Sequence, residues 1–355
     1  MTEKVEDMTA PPQSKHEGVP KSAAVQNNQE ELRSTRPTVG SVIDRFGLVL
    51  AWLLVIVFFS ILPATSAIFP TTTNFSTIFG SQAMIAVLTL GLIIPLSTGD
   101  FDLSIASTMT LSAMLVAVLN VNHGLPIGAA ILVALATGLL IGVVNGSLIL
   151  FFGIDAFIVT LGSGTFIAGV VLWISNSDTV TGIDHLLSDW VIITTFLGIP
   201  VNFWYAVALC VVLWYIFEFT PLGRRMLVVG RGRAVARLSG INVGRIRWGS
   251  FVASGLISAF AGILYAGLSG AADPTSGTQQ MLPAFAAAYL GATAIIPGRF
   301  NPWGSLIAVY FLVTGITGLQ LLGMQSYVQS LFYGGALVAA VVLSQLARRR
   351  EATSD

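Results

Sequence analysis

Residues 127–152 read IGAAILVALATGLLIGVVNGSLILFF, a run without a charged side chain. About 20 predominantly apolar residues in a helix are enough to cross the hydrocarbon core of a bilayer. The rest of the chain agrees, because 54% of its 355 residues are hydrophobic, only 10% are charged and the mean hydropathy is +0.82. Soluble domains carry charge on roughly a quarter of their residues. The sequence therefore predicts an all-α integral membrane protein.

Similar apolar runs recur from Gly47 onward, so we expect a polytopic bundle of about ten transmembrane helices. They lie at 47–69, 78–97, 103–121, 127–152, 157–174, 191–218, 248–268, 282–296, 303–322 and 328–346. The run at 191–218 is long enough to include a turn at Gly198-Ile199-Pro200 before it crosses, and the run at 282–296 is short.

The basic residues predict the orientation of the chain, since Lys and Arg in short loops stay on the cytoplasmic side. All 17 lie in the N-terminal stretch up to Arg45, in the block from Arg224 to Arg247, at Arg299 and at 348–350. Ten spans with a cytoplasmic N-terminus place all of these on the cytoplasmic side. The opposite loops carry aspartates and no Lys or Arg: Asp178, Asp184, Asp189 and Asp273. Both termini are therefore predicted to be cytoplasmic.

Three regions follow from this pattern. Residues 1–44 are polar and lack apolar periodicity, which predicts a disordered cytoplasmic tail. Residues 45–347 form the predicted transmembrane domain, with a cytoplasmic loop at 219–247, and residues 348–355 form a short cytoplasmic C-terminal tail.

Two stripes of small residues at every fourth position predict close helix packing. They are Ala134, Gly138, Gly142 and Gly146, and Ser258, Gly262 and Ala266.

The loop at 219–247 contains seven arginines and an Ala-rich stretch. Positive-inside anchoring needs only the charge. The apolar set Val235, Leu238 and Ile241 instead predicts a short helix that ends near Gly240 and docks a cytoplasmic partner. The predicted docking residues are Ala234, Val235, Ala236, Arg237, Leu238, Gly240 and Ile241.

Asp100 and Asp102 are the only acidic residues between Arg45 and Asp155, and they lie in a very short connection between two apolar runs. Ionisable groups in such a place are costly and are candidates for function. The structural alternative is that Asp102 caps a helix beginning at Leu103, with Asp100 in the aqueous headgroup zone. Both roles remain open from the sequence.

Three further polar residues are candidates for a solute pathway: Ser104, Asn145 and Thr160. They can hydrogen-bond a hydroxylated solute, although such groups more often bond across helices or to a backbone carbonyl. The chain has no Lys or Arg between Arg45 and Arg224. A neutral or cationic cargo is therefore favoured over an anionic one.

The stretch AVARLSGINV at 234–243, preceded by TPLGR at 220–224, resembles the coupling loop of ribose/xylose/autoinducer-2 type ABC-importer permeases. TGDFDLS at 98–104 is similar to the family's Gly-Gly-Ile-Asp-Leu-Ser, and AFIVTLG at 156–162 and AFAAAYLGAT at 284–293 also resemble family segments. Asp100 and Ala292 stand where the family usually has Gly, and PGRFNPWG at 297–304 replaces a glycine-rich turn.

The resemblance implies the ABC-importer permease fold in a bacterial inner membrane. It implies a second permease subunit, identical or not, ATP-binding cassette subunits seated on the coupling loops, and an extracytoplasmic solute-binding protein. The expected cargo is a neutral polar solute such as a monosaccharide or polyol, moved by alternating access. The alternative is an ion-coupled secondary transporter that uses Asp100 or Asp102. A membrane-anchored scaffold would leave the ordered family matches unexplained.

No catalytic site, metal site or bound cofactor is predicted in the chain itself. A P-loop needs a lysine at the nucleotide phosphates, and the only lysines are Lys4, Lys15 and Lys21 in the tail. The three histidines are far apart in sequence, and a single cysteine, Cys210, excludes a multi-cysteine metal cluster. We therefore expect that ATP is bound by a partner subunit, that lipid surrounds the chain, and that nucleic acid is not a partner.

Overall fold

The computed structural model describes residues 39–354, and their side chains at 45–342. Residues 1–38 of the predicted tail lie outside this range. The helices are α1 Val39–Ile61, α2 Thr72–Ser81, α3 Ala83–Ser97, α4 Ile105–Ala117, α5 Ile127–Phe151, α6 Ala156–Ser175, α7 His185–Ser188, α8 Val201–Phe219, α9 Pro221–Arg231, α10 Arg233–Leu238, α11 Val243–Ser269, α12 Ser276–Gly291, α13 Pro302–Leu321 and α14 Ser326–Ser354.

Strands in the described range are limited to two antiparallel pairs of two residues each. They are β1 Val180–Thr181 with β4 Ala271–Ala272, and β2 Thr195–Phe196 with β3 Ile199–Pro200. Two π-helical turns complete the elements, Val118–Asn122 after α4 and Asp189–Ile193 after α7. The prediction of an all-α fold is confirmed.

Several helices begin where the sequence supplies a polar cap. Side-chain oxygens at these positions accept a backbone N–H that has no partner within the helix. The capping residues are Thr71 for α2, Asp155 for α6, Thr220 for α9, Asn242 for α11 and Asn301 for α13. Proline at the first position of α9 and of α13 adds a fixed φ suited to a helix start.

Each predicted apolar run overlaps a helix or a pair of helices. Among the described residues, six helices are long and apolar enough to cross a bilayer, and a seventh span results if α2 and α3, bent by 40°, are counted together. The apolar parts of α1 and α14 with described side chains, Arg45–Ile61 and Ser326–Val342, are shorter than this, so the count of ten spans stays a prediction. The run at 191–218 contains the β2–β3 hairpin before α8 begins at Val201, as the predicted turn at Gly198 required.

Helix α11 lies at the centre of the bundle and packs against α3, α4 and α5. A Cβ built on Gly142 would lie 2.5 Å from the carbonyl oxygen of Phe251, and one on Gly138 would lie 2.6 Å from that of Gly255. On another face of α11, Gly262 lies against the backbone of Met109 in α4. Both predicted small-residue stripes are therefore helix contacts, which places α4 and α5 at close range around α11.

Helices α5 and α6 turn broad apolar faces outward. Only 22% of the apolar 18-residue stretch of α5 is buried inside the chain, compared with 67% of the corresponding stretch of α13. The exposed side chains include Leu132, Leu140, Phe151, Ile158, Phe166 and Trp173. A soluble monomer rarely exposes apolar surface on this scale, whereas lipid covers it in a membrane.

Candidate functional site

The segment 98–104 breaks the path between α3 and α4. Helix α3 ends at Ser97, and the N–H of Asp100 bonds back to the carbonyl of Pro95 at 3.0 Å. Gly99 has φ +79, a left-handed conformation that costs glycine little. Helix α4 begins only at Ile105, so the expectation of a helix start at Leu103 is wrong by two residues. The break leaves seven residues in non-helical backbone inside the bundle.

Asp102 is the centre of a buried hydrogen-bond network and is 2% exposed. Its Oδ1 accepts from the N–H of Ser104 at 3.0 Å and from the Ser104 hydroxyl at 2.6 Å. Its Oδ2 accepts from the hydroxyl of Ser254 in α11 at 2.7 Å. The predicted cap is not formed, because the N–H that Asp102 accepts belongs to Ser104, which precedes α4, and α4 has no side-chain cap bond.

Two other predicted pathway residues reach the same segment from neighbouring helices. Asn145 of α5 donates from Nδ2 to the Ser104 hydroxyl at 2.9 Å. Thr160 of α6 accepts from the N–H of Leu103 at 3.1 Å and donates to the carbonyl of Ala156 at 2.8 Å. Within the described chain the Oδ1 of Asn145 is buried with no hydrogen-bond partner. The structure thus brings Asp102, Ser104, Asn145 and Thr160 together.

Asp100 lies on the other side of the segment and is not in an aqueous zone, because it is 3% exposed. Arg247 donates two hydrogen bonds to it, from Nε to Oδ2 and from Nη2 to Oδ1, each at 2.7 Å. Arg233 adds a contact from Nη2 to Oδ1 at 2.8 Å. Forked arginine–carboxylate bonds of this kind are among the stronger hydrogen bonds in proteins.

The arginine-rich loop forms α9, α10 and the first turns of α11. Helix α10 ends at Leu238, and Gly240 follows with φ +76, as expected for a glycine that stops a helix. Val235 and Leu238 are 63% and 90% exposed. Ala234, Arg237 and Gly240 are also exposed.

The predicted apolar docking face is smaller than the sequence suggested. Ala236 is completely buried, and Ile241 packs with it against Val229 and Val243. The reason is the turn at Gly240, which directs the chain after α10 back toward the protein. The large exposed apolar side chains of α10 are therefore Val235 and Leu238, while Ala236 and Ile241 pack inward.

Sequence reasoning missed three residues of the site: Ser254, Arg233 and Arg247. Ser250, Ser254 and Ser258 recur every four residues on α11, which is a signal for a polar stripe on one helix face. In the sequence, Arg233 and Arg247 look like two members of a charged block. Their common partner lies 133 and 147 residues away in sequence, so no local pattern reveals it.

The side chains of the site are hydrogen-bonding and ion-pairing groups. Side chains at 45–342 include no group of three or more His, Cys, Asp or Glu residues able to hold a metal ion. The Asp102 network consists of hydroxyls, an amide and one carboxylate, and these groups hydrogen-bond neutral polar molecules or each other.

Residues 74–341 match the protein-family model described as branched-chain amino acid transport system / permease component. The ribose import permease protein RbsC of Escherichia coli K12 is 32% identical over 82% of this chain and 94% of its own length. The D-allose transport system permease protein AlsC of the same strain is 29% identical over 78% and 85%. The autoinducer 2 import system permease protein LsrD of Photorhabdus laumondii is 30% identical over 73% and 79%.

The match covers the 98–104 segment, the loop at 219–247 and most of the helices described above. The similar proteins are permeases of ABC importers and not enzymes, which agrees with the predicted role and with the apolar helices of a multi-pass membrane protein. The chain therefore belongs to the branched-chain amino acid transport system / permease component family and is an ABC-importer permease subunit.

Proposed function

We propose that this chain is the membrane-spanning subunit through which an ABC importer moves a neutral polar small solute, a monosaccharide or a polyol, into a bacterial cell. Three of the similar permeases are named for ribose, D-allose and autoinducer 2. The absence of Lys and Arg from the sequence between Arg45 and Arg224 favours an uncharged cargo over an anionic one. The protein lies in the inner membrane with both termini in the cytoplasm.

The observation that carries this proposal is the exposed apolar pair Val235 and Leu238 on α10. Val235 and Leu238 leave 63% and 90% of their surfaces exposed on one short helix of an arginine-rich loop, so this apolar pair is available for contact with another protein. The buried Ala236 and Ile241 fix α10 against the transmembrane body. An ATP-binding cassette subunit that binds Val235 and Leu238 would therefore pull on the bundle rather than on a loose loop.

The energy source and the solute supply lie in other subunits. ATP is bound and hydrolysed by the cassette subunits, and a solute-binding protein delivers cargo on the extracytoplasmic side. A second permease subunit, identical or not, completes the pathway. ATP binding and hydrolysis then open the pathway alternately to the two sides of the membrane.

Asp102, Ser104, Asn145 and Thr160 are the groups of the chain that we assign to solute passage. Their hydroxyl, amide and carboxylate groups match the hydrogen-bonding needs of a sugar. The Oδ1 of Asn145 is an acceptor that is not used within the described chain. In the present arrangement the other groups bond each other, so solute contact requires the network to rearrange.

Ion-coupled secondary transport is the alternative function. It requires a carboxylate that is free to exchange a cation. Asp100 does not suit this role, because two guanidinium groups already neutralise it. Asp102 has no arginine or lysine partner among its described contacts and remains the one residue on which that alternative depends.

The proposal is tested by co-purification with the cognate ATP-binding cassette subunit from membranes. Leu238→Asp places a charge in the docking face, and Gly240→Pro disrupts the turn that requires φ +76. We expect each to weaken binding roughly tenfold or more, because a buried apolar anchor is worth about 2 kcal/mol.

The matched control is Leu197→Asp. Leu197 is 77% exposed in the β2–β3 turn, on the side predicted to face away from the cytoplasm, so co-purification should be unchanged. Normal binding by both Leu238→Asp and Gly240→Pro would count against the proposed docking role.

A further inference from the structure

Two arginines bind Asp100, and one of them also binds the backbone of its neighbour Gly99. Besides the forked contact with Arg247 and the contact with Arg233, the Nη2 of Arg233 also donates to the carbonyl of Gly99 at 3.1 Å. The carboxylate is 3% exposed, while the side chains of Arg247 and Arg233 are 15% and 39% exposed. Pairs with such a buried member resist separation far more than exposed surface pairs.

Arg233 and Arg247 lie before and after Val235 and Leu238 in the chain. Arg233 is the first residue of α10, and Arg247 lies in the second turn of α11, after the Gly240 turn. Both guanidinium groups meet on the same carboxylate. Asp100 thus joins the two ends of the segment that carries Val235 and Leu238, and any displacement of α10 acts on Asp100 from two directions.

The backbone adds a third contact beside these ion pairs. Gly230, near the end of α9, lies so close to the carbonyl of Ser97 at the end of α3 that no Cβ fits there. Such backbone-to-backbone packing deforms little under load. The end of α3 and the start of the break are therefore fixed to the coupling loop by both charge and packing.

Only Phe101 separates Asp100 from Asp102 in the chain. Asp102 in turn holds Ser104 and Ser254, and through Ser104 it is linked to Asn145. A movement of Asp100 would therefore be passed through Phe101 to Asp102. The hydrogen bonds of Asp102 and Ser104 connect it further to α4, α5 and α11. Because residues 98–104 are not helical, we expect this segment, rather than the helices around it, to respond to such a movement.

We propose that Asp100 is a positioning residue that, through Arg233 and Arg247, transmits the movement of α10 to the buried Asp102 network. This rests on the proposed docking of an ATPase on α10. Asp100 occupies a position where the family resemblance predicts glycine, so this ion-pair link is a feature of this chain's own sequence.

The test reports on the segment itself and needs no knowledge of the solute. Cys210, the chain's single cysteine, is buried and is replaced by alanine, and Phe101, which is 41% exposed, is replaced by cysteine. The complex with the cassette subunit is labelled with a hydrophilic maleimide, first without nucleotide and then after trapping with ATP and vanadate. We expect trapping to change the labelling rate at position 101 severalfold.

Adding Asp100→Asn should abolish this nucleotide-dependent change while the cassette subunit still co-purifies, and Asp100→Glu should restore it. Glu218→Gln is the matched control, because it breaks the Glu218–Arg299 ion pair, 3.2 Å long, outside the coupling loop. It should leave the change intact.

An equal nucleotide-dependent change with Asp100→Asn, or no change with Asp100 present, would overturn the proposal. Loss of co-purification in Asp100→Asn would also overturn it, in favour of a role in docking. Failure of the parent chain to bind the cassette subunit would instead show that the proposed function is wrong, so the two failures are distinguishable.

Discussion

Ser254 of α11 donates a hydrogen bond to Asp102 across 2.7 Å, between residues 152 positions apart in the chain. Both side chains are buried, at 0% and 2% exposure. The bond joins the central helix of the bundle to the break between α3 and α4. Together with the Arg247–Asp100 ion pair, it holds the 98–104 segment to α11.

Replacing Ser254 with alanine should destabilise the protein, because it leaves the Oδ2 of a buried carboxylate without its donor. We expect the free energy of unfolding to fall by about 1–3 kcal/mol, the usual cost of an unsatisfied buried polar group. Thermal unfolding in detergent measures this.

Ser258→Ala is the control one helical turn further along α11. The Ser258 hydroxyl is buried and has no hydrogen-bond partner within the described chain. Removing it should leave the melting temperature unchanged or slightly higher. Equal losses in the two variants would show that the bond to Asp102 contributes nothing particular.

Gly142→Ala should disrupt the contact between α5 and α11, since the new methyl group would lie 2.5 Å from the carbonyl oxygen of Phe251. Overpacking of a tight interface costs about 1–3 kcal/mol. A lower melting temperature and a smaller monodisperse fraction in size-exclusion chromatography are the expected results.

Gly128→Ala provides the comparison within the same helix. Nothing lies within 4 Å of a Cβ at Gly128, and alanine is the better helix former. Its melting temperature should equal or exceed that of the parent. A Gly142→Ala protein as stable as Gly128→Ala would mean that α5 and α11 are not packed closely.

The features visible in the sequence are those with a local period or a local cap. The stripe from Ala134 to Gly146 predicts a helix face in contact, because its members are four residues apart and a helix repeats every 3.6. Gly240 predicts the end of α10 because a left-handed residue stops a helix. The apolar runs predict helices because a bilayer requires a minimum length.

The features that the sequence hides depend on distant partners. Hydropathy places Asp100 in a short cytoplasmic connection, yet it is buried, because Arg233 and Arg247 arrive from the other half of the chain. Ile241 looks like part of an exposed apolar face until the turn at Gly240 directs it inward. The number of spans also depends on how α2, α3 and the shorter helices sit in the bilayer, which length alone does not decide.

The most direct test of the central claim is uptake of radiolabelled D-ribose and D-allose by proteoliposomes. One preparation contains this chain with its cassette subunit, solute-binding protein and any second permease subunit, and the other contains this chain alone under a proton or sodium gradient. We predict uptake that requires ATP and the cassette subunit, and none from the chain alone. Accumulation by the chain alone, driven by the ion gradient without ATP, would contradict the assignment.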